Sequence, residues 1–134
     1  MPLAPNLRRS LYACVALVAS SGVAWLYGHY ADGPRWFTAL SLEIHGGAMM
    51  VLLVLAGSVI ALHAPTGWRE GKNRGSGLVL SAVMLSLTAT GFLLYYLGNE
   101  KARAATSVVH WTLGLGSAFL LPLHARFGRR SRTA

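Results

Sequence analysis

Five histidines stand in this chain of 134 residues, and four of them form two spaced pairs, His45 with His63 and His110 with His124. A helix turns about 100° per residue, so the step from His45 to His63 makes about five full circles and the step from His110 to His124 falls about 40° short of four. Each pair therefore shares one helix face. Neutral imidazole is a good axial ligand for haem iron, and two facing helices can present one ring from each side. If the helices run in parallel, His45 faces His110 at one depth and His63 faces His124 at another. That is the arrangement two stacked b-type haems require. Iron held by two histidines has no open position, so the expected role is electron conduction. Gly114 lies one turn after His110 on the same face, and Gly46, Gly47, Gly57 and Gly116 also thin these helices where a flat macrocycle needs room. His29 falls close to a helix end, where an imidazole simply meets interfacial water. It stays open as a substitute for His45, because the ligand separation is about 27 Å on one helix and about 21 Å on the other.

The elements that must position these rings are legible in the hydropathy. With 54% hydrophobic and 12% charged residues, the chain is too apolar for an ordinary soluble protein of this size. Four stretches carry no Asp, Glu, Lys or Arg: Ser10 to Ala31, Ile44 to Trp68, Gly75 to Asn99 and Ala104 to Ala125. Each can span a bilayer core, which takes roughly 20 residues. The expectation is an all-α integral membrane four-helix bundle, a single transmembrane domain over 1–134. Its helices are predicted at about 10–30, 43–64, 77–97 and 104–125, with a basic tail over 126–134. Asp32-Gly33-Pro34 marks the first turn. Trp36 to Leu42 is expected along the membrane interface, and Pro65 is expected to end the second helix. Short loops make sequential helices antiparallel neighbours, which sets the second and fourth in parallel. Arg8 and Arg9 before an apolar run resemble a secretory signal, but the run continues to Tyr30, longer than a signal core, and is read as a retained span.

The formal charge of +8 does not point to nucleic acid, because the basic residues sit almost wholly in the termini and connections. Arg8, Arg9, Arg69, Lys72, Arg74, Arg126, Arg129, Arg130 and Arg132 fall on one side of the expected membrane, and Arg35, Lys101 and Arg103 on the other. Nine against three places both termini and the middle loop in the cytoplasm. Tyr27, Tyr30, Trp36, Tyr95, Tyr96 and Trp111 then gather at the outer interface, where amphipathic rings are favoured. Cys14 is the only cysteine, which excludes an intrachain disulfide and a c-type haem attachment.

The segment from His110 to His124, HWTLGLGSAFLLPLH, has two histidines enclosing thirteen residues with an early glycine. It resembles the two-ligand helix of the two-haem membrane cytochrome b superfamily, which includes the small cytochrome b subunits of membrane-bound hydrogenases and formate dehydrogenases. Ser107-Val-Val-His110 and Thr88-Ala-Thr-Gly91-Phe-Leu-Leu-Tyr95 resemble small bacterial members, so the likeness covers the second to fourth helices. The spacing of His45 and His63 is longer than the family's commoner one. The resemblance implies two haems b on His45, His63, His110 and His124, or with His29 for His45. It also implies a multi-pass subunit of the bacterial inner membrane, partnered by lipid and by other subunits of a redox complex, with quinone as a candidate partner. Two other readings use the same residues: a haem-free proton or cation transporter in which the histidines and Glu43 handle the ion, and a passive membrane anchor.

Overall fold

In the computed structural model residues 4–71 and 73–133 are described, with the side chains of 129–133 left aside. The apolar runs form four helices, α1 (Pro5–Tyr30), α2 (Arg35–Arg69), α3 (Arg74–Tyr96) and α4 (Glu100–Thr133). The chain is 91% helical without strands among the described residues, which leaves only short connections. All four helices are long and apolar enough to cross a membrane, α4 over Glu100–Gly128. Their large apolar side chains point outward: Val54, Leu85 and Phe119 are each more than 70% exposed. Such a surface suits lipid and not water.

Two compact units follow one another, residues 1–69 and 70–134. Each is a helical hairpin. In the first, Pro5 opens α1 in its first turn, where a missing N–H costs nothing. The chain reverses at Asp32, whose φ is 50°, and the Gly33 N–H donates to the Gly28 carbonyl at 2.8 Å. The N–H groups of Phe37 and Thr38 already donate to the Pro34 carbonyl. The helix expected from about residue 43 thus begins at Arg35, and Trp36 to Leu42 belong to it and do not form a separate interfacial segment. Close packing explains the early start. Phe37 and Thr38 lie against Gly28, and Ser41 is buried. The seam on α1 is a heptad of small residues, Cys14, Ser21 and Gly28, all buried, of the kind that lets membrane helices approach closely. On α2 the buried residues are Ser41, Ala48 and Leu52.

The expected end of α2 at Ala64 is also corrected, because the helix runs through Pro65 to Arg69. Proline removes one donor and crowds one carbonyl. In an apolar medium, leaving the following peptide groups unpaired would cost far more than that single defect, so the helix resumes. Pro122 is carried inside α4 in the same way, and the tail expected from residue 126 is helical to Thr133. Of the basic residues that bear on topology, Lys72 and the side chains of Arg129, Arg130 and Arg132 lie outside the described residues.

In the second hairpin Asn73 takes the left-handed conformation before α3, with φ 56°. Contacts then run in order: Thr90 and Gly91 against His110, Leu87 against Gly114, Ser76 and Gly77 against His124, and Asn73 against Gly128. Falling numbers on α3 against rising numbers on α4 define an antiparallel pair.

Candidate functional site

Three of the four paired histidines occupy the same kind of place. Each projects from the second helix of its hairpin onto the first and is half-buried there. On the facing helix each meets a hydroxyl residue followed by glycine: Ser21-Gly22 for His45, Thr90-Gly91 for His110 and Ser76-Gly77 for His124. The glycine gives the ring its space. A β-carbon at Gly22 would lie 3.1 Å from the His45 Cε1, one at Gly91 3.3 Å from the His110 Cε1, and one at Gly77 3.5 Å from the His124 Cε1.

The hydrogen bonds favour one ring nitrogen as the carrier of the proton. The His45 Nδ1 lies 2.9 Å from the Val18 carbonyl oxygen, which can only accept, so Nδ1–H is the donor. The Thr90 hydroxyl donates its single proton to the Ser86 carbonyl at 2.7 Å. Its oxygen then accepts from the His110 Nδ1–H at 2.9 Å. At His124, the Asn73 amide N–H donates to the His124 carbonyl at 2.9 Å, which fixes the amide orientation and turns Asn73 Oδ1 toward Ser76. The Ser76 hydroxyl donates to that oxygen and accepts from the His124 Nδ1–H at 2.9 Å. These bonds favour the Nδ1–H form in all three rings; at His124 the Asn73 amide nitrogen also lies 3.3 Å from Nδ1. An Nδ1–H held by a carbonyl or hydroxyl, with coordination through the other nitrogen, is the usual setting of a metal-ligating imidazole.

His63 differs. It is half-buried on α2, and its Nδ1 has no hydrogen-bond partner among the described residues. By the antiparallel register of the first hairpin, the position on α1 corresponding to Ser21 for His45 would be Leu3 for His63, which lies outside the described residues. His29 is exposed, stacked on Trp25 with ring centroids 4.8 Å apart and edge-on to Tyr30. Gly114 faces Leu87, whose Cδ2 would lie 3.9 Å from a β-carbon there. At Gly47, Gly57 and Gly116 a β-carbon would meet nothing within 4 Å among the described residues. Glu43 is exposed on α2. Among the described residues no three His, Cys, Asp or Glu side chains gather as they would around a bare metal ion. Single imidazoles are enough only for a metal that brings most of its own ligands.

The hydroxyl–glycine partners of these rings are not revealed by the histidine spacing alone. Their signal was nevertheless present, since Ser76 and Thr90 are separated on α3 by the same number of residues as His110 and His124 on α4. No family model, curated protein or solved structure matches the chain.

Proposed function

We propose that this chain is a b-type dihaem membrane cytochrome, an electron-transfer subunit of a larger respiratory redox complex linked to quinone, with His45, His63, His110 and His124 as axial ligands. The observation that carries the reading is the shared environment of three imidazoles, each with Nδ1–H committed to an acceptor and a glycine beneath the ring. Ionisable groups at membrane depth are costly and are usually functional.

The donor set suits haem. Three rings present Nε2 as the coordinating nitrogen, and His63 is a half-buried imidazole with an unsatisfied nitrogen, which the described residues leave without a partner. Held by pairs of these imidazoles, haem would supply reversible one-electron chemistry with no open position for substrate. The chain's own residues do the rest: Val18, Thr90 and Ser76 orient the rings, the glycines admit them, and the outward apolar side chains keep water from the helices. His45 is the ligand on α2 in preference to His29, because only His45 is half-buried and hydrogen-bonded through Nδ1. The charge asymmetry of the loops supports cytoplasmic termini, and the likeness to small bacterial cytochromes b supports the bacterial inner membrane as the location.

The test is a spectrum. Protein purified in detergent should show a Soret band and a reducible α band, with a pyridine haemochrome count of two haems per chain. A colourless preparation of full helicity ends the proposal and favours a transporter or an anchor.

A further inference from the structure

The hairpin of α3 and α4 repeats one device at both ends. Thr90 and His110, and four turns away Ser76 and His124, form the same pair: a hydroxyl whose proton is directed at a carbonyl oxygen, and an imidazole that donates to it at 2.9 Å. The protein could have met the imidazole's hydrogen-bonding need in many ways. A hydroxyl able to rotate would accept from either tautomer's proton or donate to a bare nitrogen, leaving the ring unspecified. Here the rotation is locked. Thr90 is tied to the Ser86 carbonyl at 2.7 Å, and Ser76 to the Asn73 side chain, itself anchored on the His124 carbonyl. Toward the ring each hydroxyl is thereby the acceptor.

Resting on the cytochrome reading, we infer that Thr90 and Ser76 are positioning residues that hold His110 and His124 in the Nδ1–H form and set the reduction potential of the iron those rings ligate. An acceptor on Nδ1–H draws the proton outward and makes Nε2 a better electron donor, which favours the ferric state and lowers the potential. Removing the acceptor raises it. The adjacent glycines Gly91 and Gly77 admit the ring at the one height where this bond forms.

Thr90→Val keeps the shape and removes the acceptor, whereas Thr90→Ser keeps the acceptor. Ser76→Ala removes it at the other end. Spectroelectrochemical titration of the holoprotein in detergent should show the midpoint of one haem rising in Thr90→Val and that of the other rising in Ser76→Ala, with helicity unchanged. Thr90→Ser should titrate like the wild type. Haem retention on dilution should weaken roughly 10–100-fold in the first two variants. The inference is overturned if Thr90→Val and Ser76→Ala keep both midpoints, or if Thr90→Ser moves the potential as far as Thr90→Val. Should the wild type itself hold no haem, the cytochrome reading fails, and 15N spectra of His110 and His124 decide the positioning claim separately. A single Nδ1–H tautomer that becomes a mixture in Thr90→Val upholds it; a mixture already in the wild type overturns it.

Discussion

His45 lies so close over Gly22 that a β-carbon there would sit 3.1 Å from its Cε1 and 3.2 Å from its Nδ1. The same ring donates to the Val18 carbonyl one turn earlier on α1, so the space left by Gly22 and the bond to Val18 depend on each other. Gly22→Val should push the ring away, break the bond, and cost about 1–3 kcal/mol of overpacking in the hairpin. Thermal unfolding in detergent followed by circular dichroism should register the loss, and the haem count should fall. Gly67→Ala is the control. A β-carbon there meets nothing within 4 Å among the described residues, and the better helix propensity of alanine should leave the midpoint level or slightly raised. Equal destabilisation by both variants would show that Gly22 has no special relation to His45.

His110→Ala and His124→Ala should each lose one haem and retain the other, counted as pyridine haemochrome, because each removes the coordinating nitrogen of one site. His29→Ala should retain both. Its ring is exposed and stacked on Trp25. A haem count halved in His29→Ala and intact in His45→Ala would move the ligand to α1.

How much of this was open to reading from the sequence depends on the length scale of the signal. Four uncharged runs announce four helices, since hydropathy sums over many residues and tolerates local error. The ends were less legible. Pro65 and Pro122 look like stops, yet in an apolar medium the helix continues past them, and Trp36 to Leu42 joined α2 because the tight turn at Asp32-Gly33 puts Phe37 and Thr38 against Gly28 at once. The shared face of His110 and His124 followed from helix periodicity alone. The partners of the histidines did not, because Ser21, Ser76 and Thr90 act across a hairpin, and only the register of the two helices joins them to a ring. Matching steps on α3 and α4 carry that register, but they become visible only when the hydroxyls are sought together with the histidines.

The first turn offers a graded test of close packing. A β-carbon at Gly28 would lie 2.6 Å from the Thr38 Cγ2 and 2.9 Å from the Phe37 Cδ1, both side-chain atoms. One at Gly33 would lie 2.9 Å from the Gly28 Cα, which is backbone. Side chains rotate away more cheaply than backbone moves, so Gly33→Ala should destabilise the first hairpin more than Gly28→Ala. With overpacking at about 1–3 kcal/mol, Gly28→Ala belongs at the lower end and Gly33→Ala at the upper. Unfolding midpoints of the two variants give the order directly, and the reverse order would contradict the packing described for this turn.

His63 and His45 share a helix but differ in what the protein gives them, and that difference is measurable apart from haem. As axial ligands, both should cost one haem when replaced by Leu, so the loss of ligand stabilisation is common to the two variants. What remains is the protein's own contribution. His45→Leu also removes the donor to the Val18 carbonyl at 2.9 Å, a net loss of about 0.5–1.5 kcal/mol. His63→Leu removes a nitrogen that has no partner among the described residues, and replacing an unsatisfied buried group by an apolar one relieves about 1–3 kcal/mol. The His63→Leu protein should therefore unfold at a higher temperature than His45→Leu while holding the same single haem. If His63→Leu instead retains both haems, His63 is not a ligand.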